Sequence, residues 1–406
     1  MSAVRKTLLL FAVVASVSSS AFGQGVFLTG VGAINRSMGG AATAAPIDAM
    51  GALHWNPATI SGLKCNEVAF SAEIMLLDET MTVNGVTARD ESGVAPIPAI
   101  GWVHHLEGTD DTIGLGLYSF AGFAQNMPSV VGHPILDPSL TPIGGSFVPS
   151  LGPLYSEAQF FQIVPTYSRA ITDRVSVGIA PTINLGRVEI DPIPFPAAYG
   201  SPGYGTRWSW GLGAQAGIYY VRNETTSYGL SIKSPQWFED FRTHTVVGGA
   251  PAVSKLQLDL PMIISGGMSY TGFENWLLAL DLRYFDWKNT DGFGDVLNWS
   301  NTFAVAAGAQ RRVSDKLTVR GGYTFNTSPI NSGTIGTNFA SPLIQQHVLG
   351  VGASYSFAKN VDLTMSYNQV LGAKQSGPAF PFAGTITSEV ATYSLAAGVT
   401  VRYGSN

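Results

Sequence analysis

Charge is the first thing this chain lacks. Lys, Arg, Asp and Glu make up 12% of its 406 residues, about half the usual share for a soluble protein. Cysteine is nearly absent too. Cys65 stands alone, which excludes a disulfide framework and leaves a small apolar side chain with no assigned chemistry. After the N-terminal leader, no apolar run approaches the roughly 20 residues that a membrane helix needs. Metal-ligand spacing is missing as well. Among His54, His104, His105, His133, His244 and His347 the nearest pair is adjacent, and on a strand adjacent side chains point to opposite faces. No G-x-S-x-G elbow is present. Gly30-x-Gly32 with Gly39-Gly40 follows no strand and has the wrong spacing for a dinucleotide fingerprint. The expectation is a protein with no cofactor and no metal that is not an enzyme; a barrel-embedded Ser–His hydrolase stays open, with nothing pointing to it.

What is present is glycine, 47 residues of it, and an aromatic content of 11%. Without a spanning helix, this composition suits a β-barrel whose outer face touches lipid. The N-terminus reads as a signal peptide over residues 1–23. Arg5 and Lys6 form its basic region, Thr7 to Val17 its apolar core, and Ala21-Phe22-Gly23 its cleavage site. The apolar core is too short for a membrane anchor. Without Arg5 and Lys6, 20 basic residues face 27 acidic ones, a net charge near −7, so nucleic acid is not an expected partner.

Beyond Leu63 the dominant signal is period-two alternation. In the last strand Tyr393, Leu395, Ala397, Val399, Val401 and Tyr403 share one face, and Ser394, Ala396, Gly398, Thr400 and Arg402 the other. So many strands carry small or polar opposite faces that one closed sheet, apolar outside, fits better than a soluble sandwich. Short links (105–111, 170–173, 222–225, 271–274, 313–315, 358–360) alternate with long ones (77–95, 122–157, 187–205, 235–252, 289–300, 327–344, 371–389). Short turns on one side and long loops on the other, with both termini on the short-turn side, give fourteen strands. The expected fold is all-β: an antiparallel fourteen-stranded barrel over residues 66–406. Trp102, Tyr167, Trp208, Trp210, Tyr219, Tyr220, Trp276, Tyr284, Trp287, Trp299 and Tyr403 near strand ends are expected to form its girdles. The small-residue stretch from Gly30 to Leu63 has no place in the wall, and residues 24–65 read as a plug.

Several stretches resemble the FadL/TodX family of outer-membrane transporters. They are Gly39-Gly40-Ala41, Asp48, Asn56-Pro57-Ala58, Gly229-Leu230-Ser231-Ile232-Lys233-Ser234-Pro235, Leu260-Pro261 leading into Gly266-Gly267-Met268-Ser269-Tyr270, Asp281 to Trp287, and Arg320-Gly321-Gly322-Tyr323-Thr324-Phe325 with Ser328-Pro329-Ile330. Ile232 stands where the family usually has an aromatic. The resemblance implies passive, ligand-gated uptake of long-chain fatty acids or aromatic hydrocarbons through a barrel with an N-terminal hatch. The alternative is a structural or adhesive barrel whose loops bind a host or phage partner. Hydrophobic small molecules, outer-membrane lipid and lipopolysaccharide are the expected partners of a monomeric protein.

The loop 122–157 is apolar where external loops are normally polar. Its Phe123, Met127, Val131, Ile135, Leu136, Leu140, Phe147 and Leu151 are candidates for ligand capture, or for a small core capping the barrel; both roles are compatible. Resemblance implies that the mature N-terminus, Gln24, Val26, Phe27 and Leu28, reaches into the pocket as a gate, with Gly39, Gly40, Asn56, Pro57 and Ala58 in the hatch. It also implies a wall-opening kink in the third strand, where Gly114, Gly116 and Gly122 offer flexibility or simply packing room. A desolvated ligand carboxylate needs a cation. Candidates by strand parity are Arg207, Lys233, Arg283, Arg320 and Arg402, with Arg36 in the hatch. Without one of them, an uncharged hydrocarbon becomes the better substrate.

Overall fold

The computed structural model describes residues 25–140 and 148–404. The leader 1–23, Gln24 and Phe147 lie outside the described residues. One sheet holds sixteen strands; leaving aside two short additions, Val86–Arg89 and Trp237–Phe238, fourteen form the wall. We number these β1 (Asn66–Val83), β2 (Val94–His105), β3 (Asp111–Met127), β4 (Leu154–Thr172), β5 (Val175–Asp191), β6 (Ser209–Asn223), β7 (Thr226–Lys233), β8 (Ile263–Tyr270), β9 (Trp276–Phe285), β10 (Thr302–Arg312), β11 (Leu317–Asn326), β12 (His347–Ala358), β13 (Val361–Pro378) and β14 (Thr385–Tyr403). Each pairs antiparallel with its neighbours, and β14 closes on β1 from Asn66 with Tyr403 to Val83 with Ile386. Closure of β14 on β1 pairs the two end strands, whose open hydrogen-bonding groups lipid would not satisfy.

The expected alternation sets which face is which. Phe70, Ile74, Leu212, Leu230, Leu282, Val351, Met365 and Leu395 stand exposed on the outer face. Ser71, Gln162, Asn184, Ser231, Thr364 and Ser394 are buried inside. A one-residue register slip would turn every such pair inside out.

Three details depart from expectation. The connection expected over 371–389 is mostly strand: β13 continues to Pro378 past a register shift and Lys374 pairs with Glu389, although Gly372, Gly377 and Pro378 read locally as loop. In the first long link, β1 runs on to Val83 and turns at Asn84-Gly85, both at positive φ, into a short hairpin with Val86–Arg89. Tyr219, Trp287 and Trp299 are buried rather than in a girdle; the two tryptophans pack edge to face at 4.7 Å in the core under the external loops.

Ahead of β1, inside the lumen, lie α1 (Gly32–Ser37), α2 (Ala49–Trp55) and a 3-10 turn over Pro57–Gly62. Asp48 caps α2, its carboxylate accepting from the Gly51 N–H. Asn56 caps the 3-10 turn, with Pro57 at the position where a missing N–H costs nothing. Neither helix is long enough to be stable alone; both exist because the wall surrounds them.

Candidate functional site

The plug is seated on glycines. A Cβ at Gly229 of β7 would lie 1.9 Å from the Thr43 carbonyl oxygen, and one at Gly322 of β11 would lie 2.1 Å from the Gly39 nitrogen. Gly178, Gly217, Gly267, Gly308 and Gly350 likewise leave room for the backbone or side chains of residues 36–58. In the pairs Gly266-Gly267 and Gly321-Gly322, the first glycine has nothing within 4 Å of its would-be Cβ and the second touches the plug. Gly39 and Gly40 hold positive φ of 64° and 80°, which lets the chain turn against β11.

Polar side chains of the wall complete the seat. One Asp281 oxygen (Oδ2) on β9 accepts from the Ala42 N–H at 2.9 Å, the Thr43 N–H at 3.0 Å and the Thr43 hydroxyl at 2.8 Å. Arg283 donates to that carboxylate at 2.8 Å and to the Gly40 carbonyl at 2.6 Å, with its guanidinium 3.4 Å over the Trp55 ring. Asn56 donates to the carbonyls of Thr43 (2.8 Å) and Ile218 (3.1 Å). It therefore ties the plug to β6 as well as turning the chain towards β1. Ser231 donates to the Trp55 carbonyl at 2.5 Å.

The candidate cations are all placed. Arg36 meets Glu73 at 2.7 Å and donates to the Thr29 hydroxyl at 2.7 Å. Lys233 donates to the His54 carbonyl at 3.2 Å. Arg320 donates to Gln310 at 2.7 Å and Ser354 at 2.6 Å. Arg402 bridges Asp362 at 2.7 Å and Glu67 at 3.6 Å. Arg207 precedes the start of β6 and is exposed in an external connection instead of facing the lumen.

An opening lies between β2 and β3. They pair only from Ala99 with Tyr118 to His105 with Thr112, while β2 stays paired with β1 up to Val94. Pro96 and Pro98 explain the asymmetry: neither has an N–H, so β2 has no donor for β3 at those positions. β3 shifts register against β4 between Ser119 and Ala121, leaving Phe120 as the bulged residue. Gly114, Gly116 and Gly122 flank it, and none has a positive φ. Gly114 gives room to Leu53 of the plug. The flank of β3 that β2 vacates is taken by the N-terminal segment. Leu28 N–H donates to the Phe120 carbonyl at 3.0 Å, Gly122 N–H donates to the Val26 carbonyl at 2.9 Å, and Phe27 bridges Ala121. The Phe27 ring sits 5.8 Å from Phe120 and 5.6 Å from both Phe285 and Trp287.

Two cavities meet near this segment. The inner one, about 110 Å³, runs from lumen-side Arg36, Asn326 and Thr392, past Val26 to Leu28, to Pro96, Gln159 and Phe161 on the outer side of the wall. The outer one, about 600 Å³, is walled by Val188, Phe195, Tyr199, Leu258, Phe293, Leu297, Phe339 and Phe380. Phe123 lines both. Met127, Ile135 and Leu136 are fully buried as core, Leu140 and Leu151 are half-buried, and Val131 is 90% exposed. Burial keeps the His133 imidazole in this loop below its usual range, and its Nδ1 accepts from the Ile135 and Leu136 N–H groups at 3.2 Å. Most of the outer cavity thus comes from other long links. Their paired aromatic and proline residues, Phe195-Pro196 and Phe380-Pro381, were the available signal.

The sequence profile of the family described as outer membrane protein transport protein (OMPP1/FadL/TodX) matches residues 152–397. The long-chain fatty acid transport protein of Salmonella typhi is 22% identical over 398 residues, 87% of this chain and 89% of that one. Outer membrane protein P1 of Haemophilus influenzae is 26% identical over 185 residues, 41% of this chain; the match spans 39% of that relative's own length. In fold, the chain is similar to the P. putida toluene transporter TodX, with a TM-score of 0.72 at 15% identity over 93% of this chain and 100% of that one. The profile spans more than half of the residues, and the chain belongs to the OMPP1/FadL/TodX family of outer membrane proteins.

Proposed function

We propose that this protein is a passive channel that takes hydrophobic compounds, of the class spanning long-chain fatty acids and aromatic hydrocarbons, across the outer membrane. One observation carries the reading: the inner cavity joins lumen-side residues to the outer side of the wall where β2 and β3 do not pair. An apolar molecule collected in the loop cavity is driven there by the hydrophobic effect. It then passes Phe123 and reaches the N-terminal segment. Displacing that segment from β3 frees the portal, and the molecule leaves sideways without unseating the rest of the plug. Residues 24–65 act as a hatch whose N-terminal end is the gate, and the Gly39-Gly40 and Asn56-Pro57-Ala58 corners keep the remainder seated. The protein makes and breaks no bonds in its cargo and works as a monomer, its loops among lipopolysaccharide. An adhesive barrel would have no use for a passage through its own wall.

The test is uptake of radiolabelled oleate and toluene by cells that lack their own such channel, with the chain supplied intact or without residues 24–28. The intact chain is expected to raise uptake of at least one compound over the empty control, and the truncation to change that rate while the barrel still assembles. Uptake equal to the control for both compounds would defeat the proposal.

A further inference from the structure

We infer that the cargo is an uncharged, compact hydrocarbon or its neutral derivative, and that carboxylates are discriminated against. This rests on the transport reading above and narrows it. A carboxylate leaving water for an apolar cavity loses several kcal/mol unless a cation or several donors meet it. Among the described residues, no Lys, Arg, His, Asp or Glu lines the outer cavity. Asn338 accepts from Trp299 at 2.6 Å and donates to the Thr334 carbonyl at 2.7 Å, and Tyr199 donates to the Pro149 carbonyl at 2.6 Å; the Ser156 hydroxyl, buried without a partner, is a single neutral donor where a desolvated carboxylate needs several.

Among the described residues, Arg36 is the one cationic side chain lining the inner cavity. All three of its nitrogens are committed. Nε reaches both Glu73 oxygens at 3.2 and 3.1 Å, Nη2 reaches Glu73 at 2.7 Å, and Nη1 donates to Thr29 at 2.7 Å. A ligand carboxylate would find one Nη1 N–H on a guanidinium whose charge Glu73 already neutralises; pairing with it bidentately would mean taking Arg36 from Glu73 and leaving that carboxylate buried and unpaired.

The portal adds a repulsive element. Glu157 lines the outer end of the passage. Its only cationic partner among the described residues is Arg187, at 3.9 Å, which also pairs with Glu189. Two carboxylates share one guanidinium there, leaving local negative charge in the path of an anion. Size points the same way. The inner cavity of about 110 Å³ is on the scale of an engineered cavity of about 150 Å³ in another protein that accepts benzene, and is short of what an extended acyl chain needs.

Calorimetric titration of the full-length protein in detergent micelles with p-xylene, methyl p-toluate, p-toluate and laurate at pH 8 tests this. The two neutral ligands are expected to bind at least about tenfold more tightly than either carboxylate. Equal or tighter binding of p-toluate or laurate than of the neutral pair would overturn the inference while leaving the transport reading standing. Binding of none of the four would remove both.

Discussion

Phe27 forms a β-bridge with Ala121 of β3, on the flank that β2 leaves empty. The N-terminal segment thereby replaces a missing length of wall partner, and the wall is intact only while that segment stays.

Replacing Phe27 by Ala removes the ring held among Phe120, Phe285 and Trp287. Truncations of this kind cost about 3–5 kcal/mol when the site is well packed, more than two backbone hydrogen bonds of about 1 kcal/mol each recover. The segment should detach. Single-channel conductance in planar bilayers is expected to rise several-fold, with the heat-dependent gel shift of the folded barrel unchanged.

Pro96→Thr combined with Pro98→Thr restores two N–H donors opposite β3. Pairing between β2 and β3 should then extend beyond Ala99 and narrow the portal. Uptake of hydrophobic compounds is expected to fall by about tenfold, and amide exchange near Ser119 to slow. Unaltered uptake would show that the cargo leaves elsewhere.

Asp281→Ala deletes the acceptor of two plug N–H groups and the Thr43 hydroxyl, and strands Arg283 in a fully buried site. Removing one member of a buried pair costs about 3–5 kcal/mol. The loss falls on the plug's seat. Protease added to the periplasmic side should cut near residues 40–45 in this variant and spare the parent.

The paired glycines give a prediction with its own control. Gly322→Val and Gly267→Val push a side chain into plug atoms, whereas Gly321→Val and Gly266→Val add one where nothing lies within 4 Å. The first two should lower the melting temperature of the plug, followed by exchange protection over residues 32–60. Their neighbours should behave as the parent does.

The strand count and the inside and outside faces were legible because both signals are local. Alternation has a period of two residues, and a bilayer imposes apolar side chains on one face wherever a strand crosses. The family motifs were legible as text, yet their meaning was not: that Gly322 and not Gly321 matters depends on which one faces Gly39, nearly 300 residues away. Trp287 and Trp299 read as girdle residues from their position near strand ends, but they lie under loops whose path the alternation does not describe.

The sequence by itself determined a closed wall with something small and uncharged left over to fill it. Tertiary structure alone decided where the pairing of that wall stops and which charges are paired with each other. Pro96 and Pro98 end the pairing of β2 with β3, and because β3 bulges at Phe120 the N-terminal segment takes the vacated flank. Arg36 and Arg283 are paired because Glu73 reaches the one from β1 and Asp281 the other along β9. Such pairings join residues that no local pattern relates, and burial makes them costly to break.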